Sequence, residues 1–163
     1  MCCKIFLVKH IAFITFICIS LAGCSPINVY EKSVAIPSQT WYYNNVPSFS
    51  FNITDSLAYY NIYIVLRHTD AYEYNNIWLR LGIQAPGTVN NFQNLDLTLG
   101  TDAKGWEGEG MDDIFEVRKN ITRGPVPFRK AGTYTFTVAQ IMRENPLKHI
   151  LNVGVRVEKA GVR

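Results

Sequence analysis

The stretch TYTFTVAQ, residues 133–140, alternates between polar and apolar side chains from Thr133 to Val138. Tyr134, Phe136 and Val138 fall on one side, and three threonines lie between or beside them. A period of two, built from aromatic and β-branched residues, is typical of a strand with one buried face. The stretch therefore predicts a half-buried β-strand.

Five further segments repeat this alternation along the chain. In the last of them we expect Leu151 to share the buried side with the three valines that alternate after it. Turn-rich stretches containing Gly, Pro, Asn or Asp separate the segments, as expected when strands follow one another closely. The five segments are 48–53, 59–67, 77–83, 95–99 and 151–157.

No long amphipathic helix competes with these strands. The one helix-like stretch, 138–143, is followed by Pro146, which disfavours helical geometry at the residue before it and so permits a single turn at most. About eight closely spaced strands predict an all-β fold, an antiparallel β-sandwich of jelly-roll or immunoglobulin-like type.

The N-terminus has the three parts of a bacterial lipoprotein signal peptide. Lys4 and Lys9 supply the basic region, and residues 11–19 form an apolar run too short to span a bilayer. The sequence Leu21-Ala22-Gly23-Cys24 then matches the signature cut by the lipoprotein signal peptidase. We therefore expect the mature protein to begin at Cys24, the lipidated residue.

This cleavage divides the chain into a signal peptide, residues 1–23, and a single lipid-anchored β-sandwich domain, residues 24–163. Residues 24–39 supply the tether and the first strand. Two acyl chains on Cys24 exceed the marginal binding of one chain, so we expect permanent attachment to membrane lipid. The mature chain keeps no free thiol, because the other cysteines are removed: Cys2, Cys3 and Cys18.

The charge of the mature chain excludes nucleic acid as a partner. Removal of Lys4 and Lys9 leaves 14 basic residues against 13 acidic ones, a net charge of about +1. Basic residues are scattered, and the nearest approach to a cluster, 118–130, is interrupted by glycine and prolines. We interpret this segment as a solvated rim.

The sequence contains no recognisable enzyme motif. His68 and His149 lack metal-ligand spacing, and no serine lies in a Gly-x-Ser-x-Gly elbow. Four carboxylates gather in a glycine-rich segment, where they could serve glycoside hydrolysis or bind calcium. We favour a soluble mobile loop, and so predict no catalytic residue, metal or cofactor. The carboxylates are Glu107, Glu109, Asp112 and Asp113.

Aromatic residues in or beside loops are the remaining functional signal. Such residues often supply binding energy at protein interfaces, and they also stack against sugars. The alternative is that some of them, Trp41 especially, cap an open end of the sandwich core. The candidates for partner binding are Trp41, Tyr42, Tyr72, Tyr74 and Trp106.

Three segments of the chain resemble the gliding motility-associated lipoprotein family GldH. They are YNIYIVLRHTD (60–70) with YNNIWL (74–79), AGTYTFTVAQIMRENPL (131–147), and Gly105-Trp106 followed by Gly108, Gly110, Asp113 and Ile114. The resemblance covers nearly the whole chain. It implies an envelope lipoprotein associated with gliding motility and the type IX secretion machinery, and no catalytic residues carry over from the family.

The residues after Cys24, SPINVY (25–30), lack the acidic cluster that commonly directs such lipoproteins to the cell surface. We therefore expect the periplasmic face of the outer membrane. Three functions remain open: an accessory or assembly subunit that binds other envelope motility or secretion proteins, a carbohydrate-binding module, and a glycoside hydrolase. We favour the first.

Overall fold

A computed structural model describes residues 28–160, and its regular structure is almost entirely strand. Within that range eight strands have six or more residues and six are shorter, with one 3-10 turn at Pro37–Gln39. The strands are β1 (Asn28–Ala35), β2 (Thr40–Trp41), β3 (Ser48–Ile53), β4 (Tyr59–Thr69), β5 (Asn76–Gln84), β6 (Asn91–Thr98), β7 (Gly100–Thr101), β8 (Gly105–Trp106), β9 (Glu109–Met111), β10 (Ile114–Asn120), β11 (Val126–Pro127), β12 (Gly132–Gln140), β13 (Leu147–Lys148) and β14 (Ile150–Lys159).

The long strands form two antiparallel sheets. One has the order β1-β14-β4-β10-β9, with β11 paired to β4, and the other has the order β3-β12-β5-β6. Two small pairs, β2 with β13 and β7 with β8, complete the strand pairing in the described residues. The prediction of an all-β antiparallel sandwich with about eight main strands is confirmed.

Alternating side chains bury one face of each sheet in a common core. In β12, Tyr134, Phe136 and Val138 are buried, whereas the threonines between them are partly exposed. β3 shows the same alternation, with Phe49 and Phe51 inside. Because the period of a strand is two, this pattern directs each sheet's apolar face toward the other sheet.

One local expectation, the burial of Leu151, differs from the structure. Leu151 is only half-buried and Ile150 is buried instead, because a bulge between Ile150 and Asn152 shifts the register of β14 against β4. A bulge inserts one residue and turns its neighbours to the opposite face. Residues 138–140 form no helical turn, within the expected limit of a single turn at most, because β12 remains extended through Gln140, where it still pairs with β5.

The sandwich has two ends, which we name proximal and distal by their position relative to the start of β1. The proximal end is the one where β1 begins at Asn28, beside Glu158 of β14. The predicted signal peptide and Cys24 lie outside the described residues, in which no helix is long and apolar enough to cross a membrane. Loops 54–58, 85–90 and 121–131 form the proximal end, and segments 36–47, 70–75, 99–113 and 141–149 form the distal end.

Candidate functional site at the distal end

A buried histidine organises the aromatic residues of the distal end. His68 lies near the end of β4, opposite Phe115 of β10. Its ring centroid is 4.6 Å from that of Trp106, 5.6 Å from that of Tyr72 and 5.8 Å from that of Phe115. The histidine thus joins two loops, 70–75 and 99–113, to the central strand of the larger sheet.

The hydrogen bonding of His68 defines its tautomer, and its burial favours the neutral ring. Its Nδ1 lies 2.9 Å from the carbonyl oxygen of Thr69, and a carbonyl only accepts, so Nδ1 carries the proton. Nε2 then holds a lone pair, and it is buried with no hydrogen-bond partner among the described residues. Burial lowers the pKa of His68, so the ring is neutral at pH 7.

Tyr72 and Tyr74 lie next to this histidine but differ in exposure. Tyr72 is only 3% exposed, and its hydroxyl donates to the carbonyl oxygen of Asn76 at 3.0 Å. Burial raises the pKa of Tyr72, and the neighbouring Tyr74 and Glu144 act in the same direction. Tyr74 is half-buried, and its interaction with the Glu144 carboxylate raises the pKa of its hydroxyl. Tyr72 therefore supports the site from inside, whereas Tyr74 reaches its surface.

Trp41 fixes a second loop of the distal end. Its side chain is fully buried, and its indole Nε1 donates to the carbonyl oxygen of Asn45 at 2.7 Å. The hydroxyl of Tyr43 donates to the carbonyl oxygen of Met142 at 2.6 Å, which ties this loop to segment 141–149. Held in this way, the loop presents Tyr42 to solvent, with about half of its surface exposed.

All five aromatic residues selected from the sequence lie at the distal end, but they do not form one surface. Trp41 and Tyr72 are core residues, so their rings offer no area to a partner, and Trp41 caps the core as the alternative interpretation proposed. Tyr42, Tyr74 and Trp106 remain accessible. Val46 is exposed in the same loop as Tyr42 but was not among the residues selected from the sequence. Its only signal was its place beside an aromatic run.

The four acidic residues of the glycine-rich segment do not act as one group. Glu107 forms an ion pair with Lys119 of β10. The other three line an open hollow of about 320 Å³, together with Arg67. Within residues 28–160, no three His, Cys, Asp or Glu side chains are placed to hold a metal ion. The three acids are Glu109, Asp112 and Asp113.

Two smaller hollows lie beside the accessible aromatic residues. One, of about 80 Å³, is lined by residues that include Tyr74 and Glu144, and it is far below the roughly 300–1,000 Å³ of small-molecule pockets. The other, of about 230 Å³, lies against Trp106 and includes Asp102 and Asn75. His149 is half-buried beside the first hollow.

Comparison with known proteins identifies the family. Residues 28–157 match the model of the family described as GldH lipoprotein. The gliding motility lipoprotein GldH of Flavobacterium johnsoniae is 26% identical over 159 residues, covering 93% of this chain and 98% of that protein. The gliding motility lipoprotein GldH homolog of Christiangramia forsetii is 27% identical over 152 residues, covering 89% and 92%.

Among solved structures, the infectious bursal disease virus VP2 subviral particle is similar only at a TM-score of 0.32 and 12% identity. The match covers 83% of this chain and 36% of that one, and it is too weak to support an argument. The match to the family model, by contrast, spans most of the sequence and nearly all of the described strands. The chain therefore belongs to the GldH lipoprotein family.

Proposed function

We propose that this protein is a non-enzymatic accessory or assembly subunit of a gliding or type IX secretion-associated machinery in the cell envelope. Membership of a lipoprotein family supports attachment to a membrane, and two relatives are named for gliding motility. The sequence at Cys24 supports acylation of that residue. The absence of acidic residues just after it supports the periplasmic face of the outer membrane.

The observation that carries this proposal is the aromatic surface of the distal end, which we define as Tyr42, Tyr74 and Trp106. The rings of Tyr74 and Trp106 pack against the cluster around His68, and Tyr42 extends from the loop that Trp41 fixes. Rigid aromatic side chains on a supported surface are typical of the residues that dominate interface energetics. The surface therefore suits a protein partner.

The charge of the distal segments indicates what kind of contact area a partner would have. The four distal segments contain eight acidic residues against three basic ones, although the mature chain as a whole is nearly neutral. Complementary potentials steer association and suppress wrong partners. The distal surface is therefore expected to bind a partner whose contact area is basic, and high salt should slow its association.

Co-purification from solubilised membranes tests this function. The double variant Tyr42→Ala with Tyr74→Ala should lose envelope partners while largely keeping its melting temperature, because Tyr42 is half exposed and Tyr74 is only partly buried. Tyr59→Ala is the matched control, since Tyr59 is an exposed tyrosine at the start of β4, at the opposite end of the sandwich, and this variant should keep the partners. Undiminished co-purification by the stable double variant would contradict the proposed interface.

Two further measurements test the anchor and its location. Labelled palmitate should enter the wild type but not Cys24→Ala, because the acylated sulfur belongs to that residue. Equal labelling of both proteins would contradict lipidation at Cys24. On intact cells the wild type should resist external protease, and its cleavage would place the domain on the cell surface instead.

A carbohydrate-binding module is the second candidate, and one hollow favours it. The space of about 230 Å³ against Trp106 is lined by polar groups that include Asn75, Thr101 and Asp102. One aromatic face beside amide, hydroxyl and carboxylate groups fits the stacking and hydrogen-bonding needs of a sugar ring. Retention on a glycan column that is lost in Asp102→Asn and in Trp106→Ala would favour this function over the first.

A further inference from the structure

We propose that the proximal end of the sandwich docks on an anionic phospholipid surface, so that the lipid anchor and the folded domain contact the same bilayer. This inference rests on the proposed attachment through Cys24. It concerns the three proximal loops, 54–58, 85–90 and 121–131, which carry no part of the aromatic surface. Those loops combine exposed apolar tips with unpaired basic side chains.

The apolar part consists of two loop tips. Leu57 is 89% exposed and Val89 is 87% exposed, the highest values among the large apolar side chains in the described residues. Single exposed apolar residues are ordinary, but these two lie at the same end of the molecule, on separate loops. Tyr59 and Phe92, which are also more than half exposed, lie on strands at that end. The end thus offers several apolar side chains for insertion among lipid headgroups.

The basic part lies on loop 121–131. Arg123, Arg129 and Lys130 are exposed, and none forms an ion pair within the described residues. Buried Phe128 holds the middle of the loop against the core, where its ring is 5.2 Å from that of Tyr60. The three cations are therefore presented by a supported loop, as an anionic surface requires.

Acidic side chains are nearly absent from the proximal loops. The single one, Asp55, is neutralised by the ammonium of Lys159 at 2.7 Å. The distal segments, in contrast, have a large excess of acids. This asymmetry orients the domain near an anionic bilayer, because the basic end is attracted to the surface and the acidic end is repelled.

Covalent geometry places the anchor at the same end. Asn28 begins β1 at the proximal end, and Cys24 precedes it by four residues. Four residues span at most about 14 Å in any conformation. The acylated cysteine therefore holds the proximal loops close to the lipid, where weak apolar and electrostatic contacts suffice to dock the domain.

Fluorescent labelling of the lipidated full-length protein in vesicles tests this docking. The cysteine of Leu57→Cys or Val89→Cys is the sole labelling site, since Cys24 is blocked by acylation and the remaining cysteines leave with the signal peptide. On phosphatidylglycerol-containing vesicles, an environment-sensitive dye at either position should shift its emission to shorter wavelength. The same dye at Met111→Cys, an exposed site at the distal end, should report water.

Charge reversal provides the second arm of the test. Replacing Arg123, Arg129 and Lys130 together with Glu should remove most of the emission shift, and pure phosphatidylcholine vesicles should reduce it for the wild type. Dyes at 57 and 89 that report water on sedimented protein would overturn the docking. Failure of the protein to sediment with vesicles would contradict attachment through Cys24 instead, so the two proposals fail by different readouts.

Discussion

Phe136→Ala should destabilise the protein by about 3–5 kcal/mol, because it empties a central position of the core. Phe136 lies in the middle of β12 and is 1% exposed. Burial of its ring contributes about 1.5–3 kcal/mol. The edge-to-face pair with Phe51, whose centroid is 5.1 Å away, adds about 0.5–1.5 kcal/mol. The cavity left behind accounts for the rest.

Urea unfolding followed by far-ultraviolet circular dichroism measures this loss. Thr137→Ser is the matched control, because Thr137 is the next residue along the strand and points to the opposite, partly exposed face. We expect the control to change the free energy of unfolding by less than about 1 kcal/mol. Equal losses at the two positions would show that β12 is buried on both faces, and would refute the alternation argument.

Two other predictions concern the distal end. His68 has a lowered pKa in the folded state. As the pH falls below about 6.5, the unfolded chain therefore binds a proton that the folded chain excludes, and the protein loses stability. His68→Phe should make the urea midpoint less dependent on pH, and an unchanged dependence would contradict this prediction. Gly108 has a φ of 94°, and an added Cβ there would collide with the carbonyl oxygen of Glu116. Gly87 has a similar φ of 73° but open space around it, so Gly108→Ala should lower the melting temperature more than Gly87→Ala. Equal melting temperatures of the two variants would refute the steric argument.

The strands could be predicted from the sequence because burial of one face imposes a period of two. Residues 48–53 and 133–138 alternate without interruption, and each lies in a strand with the expected side inside. A slip of one residue would expose every apolar side chain of such a strand. The pattern thus fixes which face of the strand is buried before any partner strand is known.

The failure at Leu151 arises where a neighbouring strand, and not the local pattern, decides the outcome. Leu151 follows the alternation of β14 in sequence, but the bulge against β4 takes it out of the buried set. The bulge leaves no signal in the segment itself.

The candidate site was predictable in its location but not in its exposed surface. Loop aromatics such as Trp41 and Tyr72 look alike in sequence to Tyr42 and Tyr74, since all lie in or beside turns. Burial of the first pair depends on partners far along the chain: the 147–148 strand pairs with that of Trp41, and Trp106 packs near Tyr72. Segments joined only by the tertiary fold therefore decide which rings remain available.

Together, the two proposals define the distance from the bilayer at which a partner binds. Strand β4 runs for 11 residues from the proximal to the distal end, and so spans about 36 Å. If the proximal end rests on lipid, the aromatic surface of Tyr42, Tyr74 and Trp106 stands roughly that far from the bilayer. A partner must then meet it with a part that extends well beyond the membrane. The acidic distal segments favour a basic contact area there, because a second acidic surface would be repelled. If the protein also lies on the periplasmic face and serves the proposed machinery, the contact is expected in a periplasmic portion of that machinery and not in its lipid-embedded portion.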